Sequence, residues 1–237
     1  MGTKAIHPAP PATVRAAWDA HLSVVGPVYG LGVGIAVLCA TNMLNLMMGQ
    51  PFWTLTQIIN MGLESSLATW YSSMLWAVAA ALAWRCRAAG PQGRAARVWL
   101  ALAAVFVFFS IDEVAMVHER LGRLLADHGG TYGQLLHTTR WVLMLGPVAI
   151  LVLVALALYA SPVYAQAPCA WRLLATGLAI FLAAALGIES TTNLLNHSTL
   201  QWIWDLEIVT EETIEMIGAW LVVEACDAYR RDRTVHA

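Results

Sequence analysis

The sequence is short of charge: Asp, Glu, Lys and Arg make up 12% of its 237 residues, about half the share usual in a soluble domain. Lysine is nearly missing. Lys4 is the only one, and the other basic residues are arginines. These shortages exclude an ordinary soluble surface and a basic groove for nucleic acid. Cysteine is scarce too, with four residues and no Cys-x-x-Cys pair, which argues against a Cys-held metal site. There is no low-complexity tract, no Gly/Ser linker and no internal repeat, so the repeated halves of many transporters are not in evidence. No nucleotide or haem motif stands out. What fills the chain is apolar: 59% of it is hydrophobic and its mean hydropathy is +0.63.

About 20 apolar residues cross the hydrocarbon core as a helix. The runs 22–48, 61–84, 98–117, 141–160, 171–188 and 208–226 meet or approach that length. The expected fold is therefore all-α, a polytopic transmembrane bundle of about six spans. Residues 1–21 are expected as an N-terminal segment, 22–228 as the six-helix domain and 229–237 as a tail. The first run is too long for a signal-peptide core and no small-residue cleavage site follows it, so it reads as a retained span. Ten of the thirteen basic residues fall on one set of connections, and only Arg120, Arg123 and Arg140 fall on the other. The positive-inside rule then places both termini in the cytoplasm.

Two patterns read as structural. Gly26, Gly30 and Gly34 recur every four residues in the first span, a face that another helix, of this chain or of a second copy, can approach closely. Trp18, Trp53, Trp84, Trp99, Trp141, Trp171, Trp202 and Trp204 lie near span ends, as an interfacial belt requires. Cys86, Cys169 and Cys226 fall at cytoplasmic helix ends and Cys39 inside the first span. All four read as reduced packing residues.

The acidic residues are placed unevenly. Asp19, Glu224, Asp227 and Asp232 lie on the cytoplasmic side, and the other eleven lie in the outer half or the outer loops. Against three arginines there, the formal balance is −8. Counted from the cytoplasmic arginines at ~1.5 Å per residue, Glu64, Asp112, Glu113, His118, Glu189, Glu212 and Glu215 fall in one layer roughly 23–31 Å deep. Asp112 and Glu119 are two helical turns apart and share a face, whereas His118 lies about 120° round an unbroken helix from Asp112. Glu211, Glu212 and Glu215 stand at i,i+3 and i,i+4 spacings, where bare like charges repel. In a dry setting such carboxylates require protons, arginines or a cation between them. Ser65, Ser66, Thr69, Ser72 and Ser73 add hydroxyls to the second span, and Asn193, Asn196 and His197 follow Glu189. Asp127, His128, His137, Asp205 and Glu207 are expected in solvated outer loops.

Carboxylates with one or two His suit a divalent metal such as Zn, Mn or Fe. The expected ligand set is Glu64, Asp112, Glu113, His118, Glu119, Glu189, Glu212 and Glu215, with Asp112, Glu113 and Glu215 as the catalytic candidates. The Glu-x-x-His pair of di-iron bundles is missing. The third span reads Glu113-Val-Ala-Met-Val-His118 instead, with a longer spacing.

The stretch Phe109-Ser-Ile-Asp112-Glu113 through His118-Glu119-Arg120-Leu-Gly122, with Glu211-Glu212 through Glu215-Met-Ile-Gly218, resembles a group of uncharacterised bacterial multipass membrane proteins. That resemblance implies a bacterial inner membrane and brings no activity with it. A weaker resemblance, in Glu64 with Ser65 and Ser66, Asp112 and His118, is to alkaline ceramidase-like membrane hydrolases, which hold zinc near one membrane face. The His-x-x-x-His of their last helix is absent, and Glu211 and Glu215 occupy that spacing. The leading expectation is a metal-dependent, hydrolase-like membrane enzyme acting on a lipidic substrate. The alternatives are a cation- or proton-coupled transporter or channel, and a non-catalytic membrane subunit.

Overall fold

A computed structural model describes residues 12–89, 93–128, 140–192 and 201–235. Among these, all regular structure is helical: α1 Ala12–Met47, α2 Trp53–Ile59, α3 Leu67–Ala89, α4 Arg94–Ala115, α5 Val117–His128, α6 Arg140–Ala160, α7 Pro168–Leu182, α8 Glu189–Thr192 and α9 Gln201–Val235. A 3-10 turn, Ser161–Gln166, joins α6 to α7, and a π turn, Ala183–Ile188, joins α7 to α8. Five stretches are long and apolar enough to cross a membrane: Val28–Met47, Leu67–Ala88, Arg94–Ala115, Trp141–Gln166 and Pro168–Thr191. The chain is a helical membrane protein.

The last expected span is the middle of α9, which carries eight acidic residues between Asp205 and Asp232. It is too polar to meet the same test, and it does not need to face lipid. It lies against α1, α3 and α7, and Met216, Ala219, Val222, Val223, Ala225, Cys226 and Tyr229 on it are fully buried. At 35 residues it is about 52 Å long, and it runs on to Val235 through the stretch expected as a tail.

The close helix approach occurs elsewhere than the glycine pattern of the first span suggests. A Cβ on Gly177 of α7 would stand 2.8 Å from the Gly218 carbonyl of α9, and one on Gly218 would stand 2.7 Å from the Phe181 nitrogen. These two helices touch backbone to backbone because neither glycine carries a side chain. Gly30 faces open space, Gly34 is covered by the Tyr71 ring, whose hydroxyl donates to the Leu31 carbonyl at 2.6 Å, and the surroundings of Gly26 lie outside the described residues.

Of the tryptophans expected in the belt, Trp204 is half-buried, the side chain of Trp18 lies outside what is described, and the other six divide into two groups. Trp53, Trp84 and Trp202 are exposed at helix ends, as an interfacial belt has them. Trp99, Trp141 and Trp171 are buried and build the core. Trp99 stacks on Trp171 at 5.0 Å and packs on Tyr229 at 4.6 Å, near the arginine-rich end. At mid-bundle Trp76 packs on Phe109 and Phe181, at 4.8 Å each, and on Phe106 at 5.6 Å. Cys86 and Cys226 are buried as expected, whereas Cys169 is exposed and packs nothing away from water.

Candidate functional site

The acidic layer is built around a helix break that the hydropathy pattern hides. α4 stops at Ala115, and Met116 takes the left-handed conformation, with φ 49° and ψ 43°, at a cost of roughly 1–2 kcal/mol for a residue with a Cβ. Asp112 holds the break together. Its backbone carbonyl accepts the Met116 N–H at 2.7 Å. Its side-chain Oδ1 accepts the His118 N–H at 2.8 Å, and Oδ2 meets His118 Nδ1 at 2.6 Å. A side-chain oxygen thus satisfies an N–H at the start of α5, as a helix cap does. The expectation that His118 stands 120° away from Asp112 fails because the helix between them is not continuous. For the same reason Asp112 and Glu119 do not share one helix face.

His118 is positioned from two sides. Its ring packs on Trp141 of α6, with centroids 4.3 Å apart. Trp141 Nε1 in turn donates to Glu189 Oε1 at 2.7 Å. Trp141 comes this close because residue 122 is glycine: a Cβ there would lie 2.5 Å from Trp141 Cβ and 2.8 Å from its Cα. Glu189 itself follows the π turn, whose wider winding re-aims the side chains after it. Trp141 and Gly122 are site-building residues that the sequence does not single out. Trp141 reads as one more member of the interfacial belt, and only the glycine directly after the His-Glu-Arg-Leu stretch hints at close packing.

Glu64 does not lie on a span. Met61–Ser66 form turns, and α3 begins at Leu67, where the Ser66 hydroxyl accepts the Thr69 N–H at 3.3 Å as its cap. Glu64 is exposed in this turn, and its electrostatic neighbours are Glu119, His118, Arg123 and Asp112. Desolvation and then Glu119 raise its pKa above the ordinary carboxylate value, against the pull of His118 and Arg123. Burial works against the imidazolium of His118. The hydrogen bond and charge of Asp112, with Glu189 and Glu119 behind them, outweigh it and raise the His118 pKa above the ordinary imidazole value. Arg123 meets Glu119 at 3.6 Å.

Deeper in the bundle Glu113 of α4 and Glu212 and Glu215 of α9 form a second group. Glu212 has Glu113, Glu211, Glu64 and Glu189 as electrostatic neighbours, and Glu215 has Glu212, Glu113, Glu211 and Glu189. The Ser72 hydroxyl reaches toward Glu113 without meeting hydrogen-bond geometry. The charges of these acids thus act on one another from different helices. Asp205 and Glu207 are not in a solvated loop: both are half-buried on α9, which rises above its central stretch, and Glu207 adds its charge near Glu189 and Glu211. The side chains of Asp127 and His128, and residues Asn193, Asn196, His137 and His197 as a whole, lie outside what is described.

Convergence stops short of a ligand set. Among the described residues, no three His, Cys, Asp or Glu side chains stand close enough together to hold one metal ion. The arrangement offers instead a carboxylate–imidazole pair at a helix break, ringed by carboxylates. Below it lies a dry floor: Phe109 is one turn from Glu113, Trp76 is one turn from Ser72, and both belong to the mid-bundle aromatic cluster.

No curated protein and no solved structure matches this chain. A family model does, over residues 30–228, a stretch that takes in α2 to α8, half of α1, most of α9 and every residue of the layer. The chain belongs to the family described as a domain of unknown function, DUF8692.

Proposed function

We propose that the chain is a bacterial inner-membrane protein with six spans and both termini in the cytoplasm, and that its acidic layer is the acid–base centre of a hydrolase-like enzyme acting on a lipidic substrate. The ten basic residues on one set of connections support the orientation. The observation that carries the functional reading is the Asp112–His118 pair, with Asp112 Oδ2 2.6 Å from Nδ1. A carboxylate on Nδ1 fixes the tautomer and leaves Nε2 as the nitrogen that takes or gives a proton. Proton transfer by a positioned side chain contributes typically 10²–10⁴-fold to a rate. Glu113 and Glu215, deeper in the same layer, are the acids placed to exchange protons with it.

A divalent metal (Zn, Mn or Fe) belongs to this reading only if the carboxylates draw together on binding, because as arranged they do not fit one ion. The weaker resemblance to alkaline ceramidase-like hydrolases supports the substrate class. A proton- or cation-coupled transporter is the second reading, favoured by the −8 balance of the outer half. The aromatic floor of Trp76, Phe106, Phe109 and Phe181 opposes it, since that cluster holds no ionisable side chain and its one polar group is the buried Trp76 indole N–H.

The test is hydrolysis of ester, amide and phosphodiester lipids in proteoliposomes by the wild type, His118→Asn and Asp112→Asn. We expect one lipid class to be cleaved and both variants to lose at least about 100-fold. Cleavage untouched by His118→Asn, or no cleavage of any class, overturns the reading. Elemental analysis decides the metal part: no metal bound, and none taken up after chelation, removes it.

A further inference from the structure

A second feature lies on the lipid-facing side of α3 and α4, away from the layer. A groove of about 580 Å³ runs between these helices. Its floor is Ala80 and Ala103, both buried, and its rims include Trp84, Leu100, Val107 and Ile111, all exposed. Alanine at the helix contact lets α3 and α4 sit close, and the alanines along the rims leave the surface concave where larger side chains would fill it. At the arginine-rich end a second hollow of about 300 Å³ shares Leu100 with the groove; Arg87, Gly93, Ala96 and Arg97 also line it. Arg87 lies over the Trp84 ring at 4.7 Å, and Arg97 donates from Nε to the Tyr159 hydroxyl at 3.0 Å, so both guanidiniums are held at the mouth. From Leu100 to Ile111 the groove follows eleven residues of α4, about 16 Å. That exceeds half the ~30 Å hydrocarbon core, which suits a hydrocarbon chain rather than a compact ligand.

We propose that this groove binds one anionic phospholipid, with an acyl chain along the alanine floor and the phosphate between Arg87 and Arg97. Basic pockets between spans capture lipid phosphates in this way. Charge selects the occupant: an apolar groove alone takes any chain, whereas two fixed guanidiniums at its mouth favour a net negative head group. The proposal is independent of the hydrolase reading, because none of its residues belongs to the acidic layer.

The experiment is native mass spectrometry of delipidated full-length protein mixed with phosphatidylglycerol or phosphatidylcholine. We expect one phosphatidylglycerol per chain, preferred by about 30-fold at low salt, from roughly a fivefold contribution per arginine near a membrane surface. Arg87→Gln with Arg97→Gln is expected to abolish the preference, and Arg87→Lys with Arg97→Lys to restore most of it. Ala103→Leu, which fills the floor, is expected to weaken retention with both arginines in place. A circular-dichroism melt of each variant confirms that the bundle is intact. Equal retention of the two lipids overturns the proposal, as does a preference unchanged in the double glutamine variant. Equal competition by free glycerol phosphate also overturns it, since the groove would then be idle. So does a change of Ala103→Leu from dimer to monomer, since a second copy would then be the occupant.

Discussion

At the arginine-rich end of the bundle Asp227 is 3% exposed, with Arg230 at 2.8 Å and Arg231 at 3.3 Å, and Glu224 meets Arg231 at 3.8 Å. At the other end the electrostatic neighbours of Glu212 and Glu215 are other carboxylates. The same residue types thus serve two purposes in one helix, α9. At the arginine-rich end Asp227 is matched by arginines one turn away and Glu224 by one two turns away, an arrangement that fixes how the helix end is packed. At the other end Glu212 and Glu215 oppose other carboxylates, which folding alone gives no reason to keep. Buried ion pairs are weak evidence of stability but strongly destabilising to break. Buried like charges cost stability and mark sites of function.

That contrast can be broken most forcefully at Asp227. Asp227→Ala leaves two guanidiniums around a buried, vacated position, and about 3–5 kcal/mol of stability is expected to go. Thermal unfolding in detergent measures it. If Asp227→Ala is as mild as Glu212→Gln, the two ends do not differ in the way described here. Gly122→Ala comes next. The new Cβ must displace Trp141, which has backbone as well as side chain in the way, so about 1–3 kcal/mol is expected to be lost. The variant is also expected to lose the Trp141–Glu189 hydrogen bond, visible as a changed indole N–H resonance. Glu215→Gln removes one of several opposed charges, and its stability is expected to stay within about 0.5 kcal/mol of the wild type or to rise, while any activity falls. A marked loss of stability at Glu215→Gln would place it among the structural acids.

The smallest effect expected is on pH dependence. The His118 pKa is raised in the fold above its ordinary 6.5, so the proton is bound more tightly in the folded chain. The stabilisation is fully present below the ordinary value and is lost as pH rises through the raised one. Melting temperatures taken from pH 5.5 to 8.5 are expected to fall across that window in the wild type. In Asp112→Asn, which removes the group that raises the value, the slope is expected to flatten.

Five spans are legible because lipid leaves the backbone no alternative to helix, whereas helical rise sets no depth for Glu64 and His118, which lie beyond the ends of α3 and α4. α9 was legible as a segment but not as the encased centre of the bundle, since enclosure depends on α1, α3 and α7 folding round it. The break at Met116 was not legible. Nothing in Val-Ala-Met-Val forbids helix, and the turn is held by Asp112 reaching forward six residues, a contact that appears only once the chain has turned. Counting along an unbroken helix therefore put His118 on the wrong side of Asp112. The start of α3 was misplaced for a related reason: hydropathy registers Met61 and Leu63, whereas the Ser66 cap sets the boundary. The Gly177–Gly218 crossing was hidden because its partners are forty-one positions apart.

The π turn before Glu189 makes the site sensitive to length as well as to composition. A π turn holds one more residue than the α turn it replaces. Removing a single residue from Ala183–Ile188 would let α7 run straight into α8 as ordinary helix, with the apolar character of the segment intact. Residues beyond it would keep about their present direction, because the wider turn is what absorbs the extra residue, whereas the same deletion in the regular part of α7 would rotate them by about 100° and take Glu189 from Trp141. A relative with one residue fewer keeps this contact only if the residue is lost at Ala183–Ile188, so in this span the place of an insertion or deletion carries more meaning than a substitution.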